Sequence, residues 1–434
     1  MTHRIVIVGG GAGGLELATR LGRTLGKRGT ARVTLVDKQL THIWKPLLHE
    51  VAAGSLNTSE NELNYVAQAK WNHFDFEIGT LCDLDREKRE IHLAAVKDEQ
   101  GHEMVPERRL GYDTLVLAVG SRTNDFGTQG AAEHCIFLDS LPQAIIFHKK
   151  LLNHYLSAHS TQATDGKISV AIVGAGATGV ELAAELHNAA HELAAYGLKG
   201  IQPQNMDITI IEAGPKVLPA LSDRISKSVL DALEKLGVKV LTSSPVKEVT
   251  ADGMMTVDGR MIPANLKVWA AGIRGHAFMK DFGGLETNRI DQLVVRPTLQ
   301  TTRDDNIFAL GDCAACPADA EGTRNVPPRA QSAHQMASML VKSLTQRVDG
   351  LSEPLPAFTY RDNGSLVSLS LFSAVGNLMG NLMRDVHVEG WLARLFYMSL
   401  YRMHQVALYG VIRTGLLVIS DRLGRSTVPR LKLH

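Results

Sequence analysis

IVIVGGGAGGLELATRL occupies residues 5–21, and VAIVGAGATGVELAAEL occupies residues 170–186. At an offset of 165 positions, ten of the seventeen residues are identical: Ile7, Val8, Gly9, Gly11, Ala12, Gly14, Glu16, Leu17, Ala18 and Leu21 in the first copy. Each copy begins with four apolar, mostly β-branched residues, as a buried strand does. The pattern G-x-G-x-x-G follows at once, as Gly9, Gly11 and Gly14 and again as Gly174, Gly176 and Gly179. In such a loop the first glycine permits a tight turn and the second admits a pyrophosphate to the backbone. The third allows the helix to pack closely on the strand. Helical repeats follow over residues 15–25 and 180–186, whose N-termini would aim N–H groups at the phosphates, and Ala12, Gly13, Ala177 and Thr178 within the loops join the cofactor-binding residues.

A dinucleotide fingerprint also needs an acid at the end of the next strand, to hold ribose hydroxyls. RVTLVD ends on Asp37 and DITIIE ends on Glu212, the second after the helical insertion HNAAHELAAYGLKG. One glycine loop is weak evidence, whereas two with strand, helix and terminal acid predict two dinucleotide sites. Two further segments match each other. DTLVLAVGS, with Ala118 and Gly120, and KVWAAGIRG, with Ala271 and Gly272, read as strands that return the chain beneath each nucleotide. In TTRDDNIFALGDCA a strand over 307–310 emerges into Gly311–Asp312 and a helix start. Asp312 then suits either a polyol hydroxyl or the N-cap of that helix.

With 434 residues the chain has room for two or three domains. A net charge of +1 gives no basic field for nucleic acid. Residue 4 already begins a strand, which leaves no room for a signal peptide. Four cysteines do not suggest an oxidised scaffold, and no apolar run reaches the length of a spanning helix. The expectation is a cytoplasmic protein, soluble or lying on a membrane.

The paired fingerprints together with Thr302 to Asp312, T-x-x-x-x-I-F-A-L-G-D, resemble the two-dinucleotide-binding flavoprotein reductases. That resemblance implies a glutathione-reductase-like α/β architecture of two Rossmann-like domains. It gives FAD to the first loop, its adenosine ribose to Asp37, its ribityl and pyrophosphate region to Gly311–Asp312, and the nicotinamide nucleotide to the second loop. Lys38 and Lys45 join the flavin set on the same ground. Many members carry a redox cysteine pair after the second strand. KQLTHIWKPLLHEVAAGS has no cysteine there, so electrons must leave directly from the flavin.

WKPLLHEV (44–51), residues 174–186 and PRAQSAHQ (328–335) resemble the type II NADH dehydrogenases, single-chain respiratory NADH:quinone oxidoreductases of bacteria. Residues 364–370, 400–410 and 429–434 are similar to the gammaproteobacterial branch. Ser332 stands where many members carry alanine. The implied domains are a discontinuous FAD-binding one over 1–150 and 298–385, an NADH-binding one over 151–297, and a membrane-associating segment over 386–434.

A carboxylate at Glu212 favours the 2′-OH of NADH over the 2′-phosphate of NADPH, and no arginine follows it in EAGPKV. Glu181 reads as a structural helix residue or as a group facing the nicotinamide–flavin junction, and the resemblance favours the junction. Gln331 and Gln335, four apart, share a helix face; their amides suit quinone carbonyls or the flavin pyrimidine edge, as the resemblance implies, or else a partly buried polar face. His334 reads more readily as a packing residue than as the proton donor to quinol. His187 and His191 lack a third ligand for a metal, and C-x-x-C at Cys313 and Cys316 reads as structural.

Five of the twenty residues 391–410 are aromatic: Trp391, Phe396, Tyr397, Tyr401 and Tyr409. On one continuous wheel Arg394, Arg402, Gln405 and Arg413 fall within about 100°. Residues 384–434 hold eight Arg/Lys and three Asp/Glu, a net +5. That suits a helix lying in a membrane interface, with the surface engaged through 390–434.

The expected whole is a peripheral flavoenzyme on the cytoplasmic face of a bacterial inner membrane. It oxidises NADH through FAD and reduces a membrane quinone, with no intramembrane ionisable chain for proton pumping. A homodimer is left open. The rivals are a soluble NADH-dependent reductase of a protein electron carrier and a flavin-bound NADH redox sensor.

Overall fold

Ile5, Val6, Ile7 and Val8 are all buried, so His3–Val8 needs neighbours on both edges and both faces. It obtains them as an inner strand of a six-stranded sheet. The order is Gln300–Thr301, Asp304–Ala309, Thr114–Leu117, His3–Val8, Ala31–Asp37 and Asp75–Ile78. Every pairing is parallel except that of Gln300–Thr301. The computed structural model describes residues 2–160, 167–195, 205–319, 321–369, 374–378, 386–389 and 401–424.

The second copy repeats the plan. Ile168–Val173 lies inside a parallel sheet ordered Ile136–Phe137, Leu266–Trp269, Ile168–Val173, Met206–Ile211 and Lys239–Leu241. In both sheets the loop strand has the acid-bearing strand on one side and the returning strand on the other. The chain order reverses there, which opens a crevice at the carboxyl ends of the strands. DTLVLAVGS and KVWAAGIRG supply the returning strands, Thr114–Leu117 and Leu266–Trp269.

The two sheets belong to separate units. One comprises Met1–Trp44, Glu62–Arg122 and Ile273–Arg361; the other comprises Lys45–Asn61, Thr123–Gly272 and Asp362–His434. The changeovers thus fall at 44/45, 61/62, 122/123, 272/273 and 361/362; the sequence reading divides the chain at 150/151, 297/298 and 385/386. Ile136–Phe137 joins the edge of the second sheet and carries its neighbours with it.

Four local expectations change. HIWKPLLHEVAAGS is not irregular: it forms a 3₁₀ turn, Lys45–Leu47, and a helix, Leu48–Ala53, whose Leu48, Val51, Ala52 and Ala53 are buried. The loop helices begin earlier than their apolar periodicity suggests, at Ala12 and Ala177, since the glycine turn itself leads into the helix. Asp312 caps no helix. It sits in a single 3₁₀ turn, Gly311–Cys313, followed by the short strand Ala314–Ala315.

The carboxyl-terminal segment is not one helix either. Helix covers 401–409, Gly410 takes φ +81°, and a second helix runs Val411–Gly424. The break takes Arg402 and Arg413 off a common wheel. Gln405 is buried and accepts a hydrogen bond from Arg402 Nη1 at 2.6 Å. Trp391, Phe396, Tyr397, Arg394 and residues 429–434 lie outside the described residues. Among the described residues no helix is long and apolar enough to cross a membrane.

Candidate functional site

In the first crevice Gly9 takes φ +104°, which L side chains rarely adopt. A Cβ on Gly14 would lie 1.9 Å from the Gly9 carbonyl oxygen, so only glycine lets the helix start this close to the strand. A Cβ on Gly11 would meet nothing within 4 Å. The loop therefore has the fingerprint's shape: a turn, an open face and a tight junction. Asp37 stands at the end of the neighbouring strand, its Oδ2 accepting the Gly10 N–H at 2.7 Å and its Oδ1 the Gln39 N–H at 2.9 Å. Burial raises its carboxyl above the usual range against those hydrogen bonds and the nearby Lys38.

Ala118 and Gly120 follow the returning strand on the same edge, and the Ala118 N–H donates to Val8 O at 2.8 Å. Gly311 and Asp312 follow the next parallel strand, Asp304–Ala309. Asp312 Oδ2 accepts from the Ser121 hydroxyl at 2.9 Å, which keeps its carboxylate at the strand ends. One contributor escapes sequence reasoning: the Tyr65 hydroxyl donates to Gly10 O at 2.7 Å and backs the loop, with no motif to announce it. Lys45 belongs to the other unit, 3.8 Å from Asp139.

The second crevice matches the first. Gly174 takes φ +102°, a Cβ on Gly179 would lie 2.0 Å from the Gly174 carbonyl oxygen, and one on Gly176 would meet nothing within 4 Å. Glu212 Oε2 accepts the Ala175 N–H and Oε1 the Gly214 N–H, both at 2.7 Å. Ala177 and Thr178 are exposed at the helix start, and Ala271 and Gly272 follow the returning strand. The exposed Phe126, at φ +54°, occupies the space a Cβ on Gly272 would enter. A bulky residue held in that region stores strain, and its place beside the returning strand's end sets an aromatic ring at the cleft.

Glu181 is buried one turn into the second loop helix, and its Oε2 lies 3.6 Å from His49 Nδ1. His49 was missed because its helix was read as irregular. Burial holds its imidazole down to about 4, against the pull of Glu185; burial likewise brings His42 in the first unit down to about 4. Above pH ~6.5 both are neutral whether folded or unfolded. As pH falls from there toward 4, the unfolded chain binds protons that the folded one refuses, so stability declines. Between pH 6.5 and 5 the loss is about 2 kcal/mol per histidine. His49→Gln should flatten that slope in urea titrations at several pH values; slopes equal to the parent's would refute the assignment.

The helix Ala330–Val348 carries the amides. Gln331 lies in its first turn. Gln335 Nε2 donates to Arg361 O at 2.8 Å and its Oε1 accepts the Arg361 N–H at 3.0 Å. Both ends of that amide meet the backbone of residue 361. His334 Nδ1 is bonded to Glu16 Oε2. Cys313 and Cys316 are buried, and burial pushes their thiols up to about 11 and about 12, where almost no thiolate exists at neutral pH.

Comparison with known proteins agrees with this geometry. The family model described as pyridine nucleotide-disulphide oxidoreductase matches residues 3–337. The type II NADH:quinone oxidoreductase of Haemophilus influenzae is 47% identical over 445 aligned residues, covering 99% of each chain. That of Staphylococcus aureus is 30% identical over 383, covering 87% of this chain and 90% of its own. Among solved structures, NDH2 from Plasmodium falciparum in complex with NADH superposes with TM-score 0.83 at 19% identity, covering 100% of both chains. A sulfide:quinone oxidoreductase from Aquifex aeolicus has TM-score 0.73 at 17% identity, covering 95% and 92%. These last two bear on the fold alone.

Proposed function

The chain belongs to the type II NADH:quinone oxidoreductases, within the pyridine nucleotide-disulphide oxidoreductase family, and from that premise we infer how its residues divide the reaction. It is an FAD-dependent enzyme that oxidises NADH and reduces a quinone. The observation that carries the division is the duplicated crevice, two loops of one shape each with its own anchored acid.

The first crevice fits FAD: the open face at Gly11 would receive the pyrophosphate, Asp37 the adenosine ribose, and Gly311–Asp312 with Ala118 and Gly120 the remainder. Bound FAD supplies the two-electron relay between a hydride donor and a quinone. Gly174 to Gly179, Glu212, Ala271 and Gly272 would hold NADH in the second crevice. There Glu212 selects the ribose hydroxyls and Glu181, paired with His49, supplies the buried acid of that cleft. Gln331 would donate its amide to a quinone carbonyl, while Gln335 fastens the chain at Arg361. The domains follow: FAD on the first sheet, NADH on the second.

Anaerobic titration of the purified protein tests the whole. NADH should bleach the flavin absorbance, and a short-chain benzoquinone should restore it stoichiometrically. A flavin that NADH bleaches but quinone leaves reduced would favour a sensor.

The Val411–Gly424 helix supports attachment to a membrane surface. Ile412, Leu416, Ile419 and Leu423 are exposed and fall within about 60° of one another. An apolar stripe turned to solvent suits the acyl boundary of a lipid leaflet, which for a quinone reductase of this kind is the cytoplasmic face of the inner membrane. Replacing those four residues by serine should release the enzyme from anionic vesicles in flotation while leaving reduction of a water-soluble quinone intact. Unchanged flotation would defeat this placement.

A further inference from the structure

Glu16 is the counterpart of Glu181 at the same offset that relates the loops, and each of the two glutamates meets a histidine from elsewhere in its own unit. The surroundings differ four residues on. The second copy has Glu185 there, so its histidine faces a surplus of negative charge. The first has Arg20, whose Nη1 donates to Glu16 Oε1 at 2.9 Å and to Ser338 Oγ at 2.6 Å.

Glu16 and Arg20 are thus consecutive turns of the flavin-loop helix Ala12–Leu21, and His334 and Ser338 are consecutive turns of Ala330–Val348. Two polar rungs tie the helices together in register. Burial alone would raise the Glu16 carboxyl, yet hydrogen bonds and charge from His334 and Arg20 bring it below the usual range, so the buried carboxylate is satisfied. Just before the first rung the backbones come close: a Cβ on Gly13 would stand 3.0 Å from Ala333 O. Rotation or sliding of Ala330–Val348 would break both rungs together. Gln331, one turn ahead of His334, therefore has its azimuth and depth dictated from the flavin loop.

We propose that Glu16, through His334 and Arg20, is a positioning residue for quinone reduction, holding the Gln331 helix in register with the flavin loop. This rests on the reading of Gln331 as the quinone-facing amide. Misplacement by about 1 Å at a reacting group costs up to about a hundredfold in rate, which is the scale available to such a clasp.

The test uses full-length enzyme loaded with FAD and separates the half-reactions by stopped flow. His334→Ala should slow reoxidation of reduced flavin by a short-chain benzoquinone about tenfold and raise the quinone KM, while flavin reduction by NADH stays within twofold of the parent. His334→Gln restores a donor to Glu16 and should bring reoxidation back to within twofold. Should His334→Ala fail to retain flavin, the double variant Glu16→Gln/His334→Gln removes the carboxylate and the imidazole while keeping a hydrogen bond, and Ser338→Ala removes only the second rung; each should show the same selective slowing, smaller in size. Gln331→Ala is measured alongside. Slow reoxidation in Gln331→Ala with normal reoxidation in His334→Ala would overturn the positioning role and leave the quinone reading standing. Normal reoxidation in both would overturn the two together, and equal slowing of both half-reactions in His334→Ala would show a merely structural clasp.

Discussion

Gly179→Ala protein should purify yellow and be unable to oxidise NADH, whereas Gly14→Ala protein should purify without its flavin. Each added Cβ would sit about 2 Å from a backbone carbonyl oxygen of the same loop, Gly174 in one case and Gly9 in the other. A methyl so placed cannot rotate away, and a carbonyl in a strand-to-helix turn cannot retreat without moving the turn. The loop must open, and with it the row of N–H groups that would meet a pyrophosphate. For Gly179→Ala a rise of a hundredfold or more in the KM for NADH is expected, about 3 kcal/mol of lost binding. Flavin content by absorbance and NADH kinetics read the two effects separately. Dithionite-reduced Gly179→Ala enzyme should still pass electrons to quinone. An NADH KM in the parental range would mean that the second crevice is not the nicotinamide site.

The second large effect concerns Glu212. Its two carboxylate oxygens already receive the Ala175 and Gly214 N–H groups, and each keeps lone pairs for ribose hydroxyls. Glu212→Gln replaces one acceptor with an amide NH2 that faces an N–H donor, and it removes the negative charge that repels a 2′-phosphate. NADH efficiency, kcat/KM, should fall roughly ten- to a hundredfold, as expected when a charged acceptor of two hydrogen bonds is lost. NADPH should lose much less, so the preference between them narrows. An unaltered ratio would take Glu212 away from the ribose.

What could be read from the chain alone was whatever a local backbone rule writes into consecutive residues. The glycine loops, the terminal Asp37 and Glu212 and the returning strands are of that sort, since strand, turn and helix requirements fall within some thirty positions. Residues 41–61 were opaque because their helix is short and its buried face is explained only by elements far along the chain. The same holds for Tyr65 and His49, whose partners at Gly10 and Glu181 lie 55 and 132 positions away. The pairing of Gln335 with Arg361 was invisible because an amide on a helix face does not say which backbone it will meet. At Gly410, periodicity continued across a residue whose φ does not.

Asp37 and Glu212 are each lashed to their own loops by main-chain N–H groups, so neither crevice waits for a visitor to take its form. The disorder that a slack loop would surrender on capture is surrendered here when the chain folds. Arriving nucleotides meet finished moulds, and product can depart without the walls collapsing behind it, a useful habit for a catalyst that must empty and refill one mould at every turnover while the other stays full.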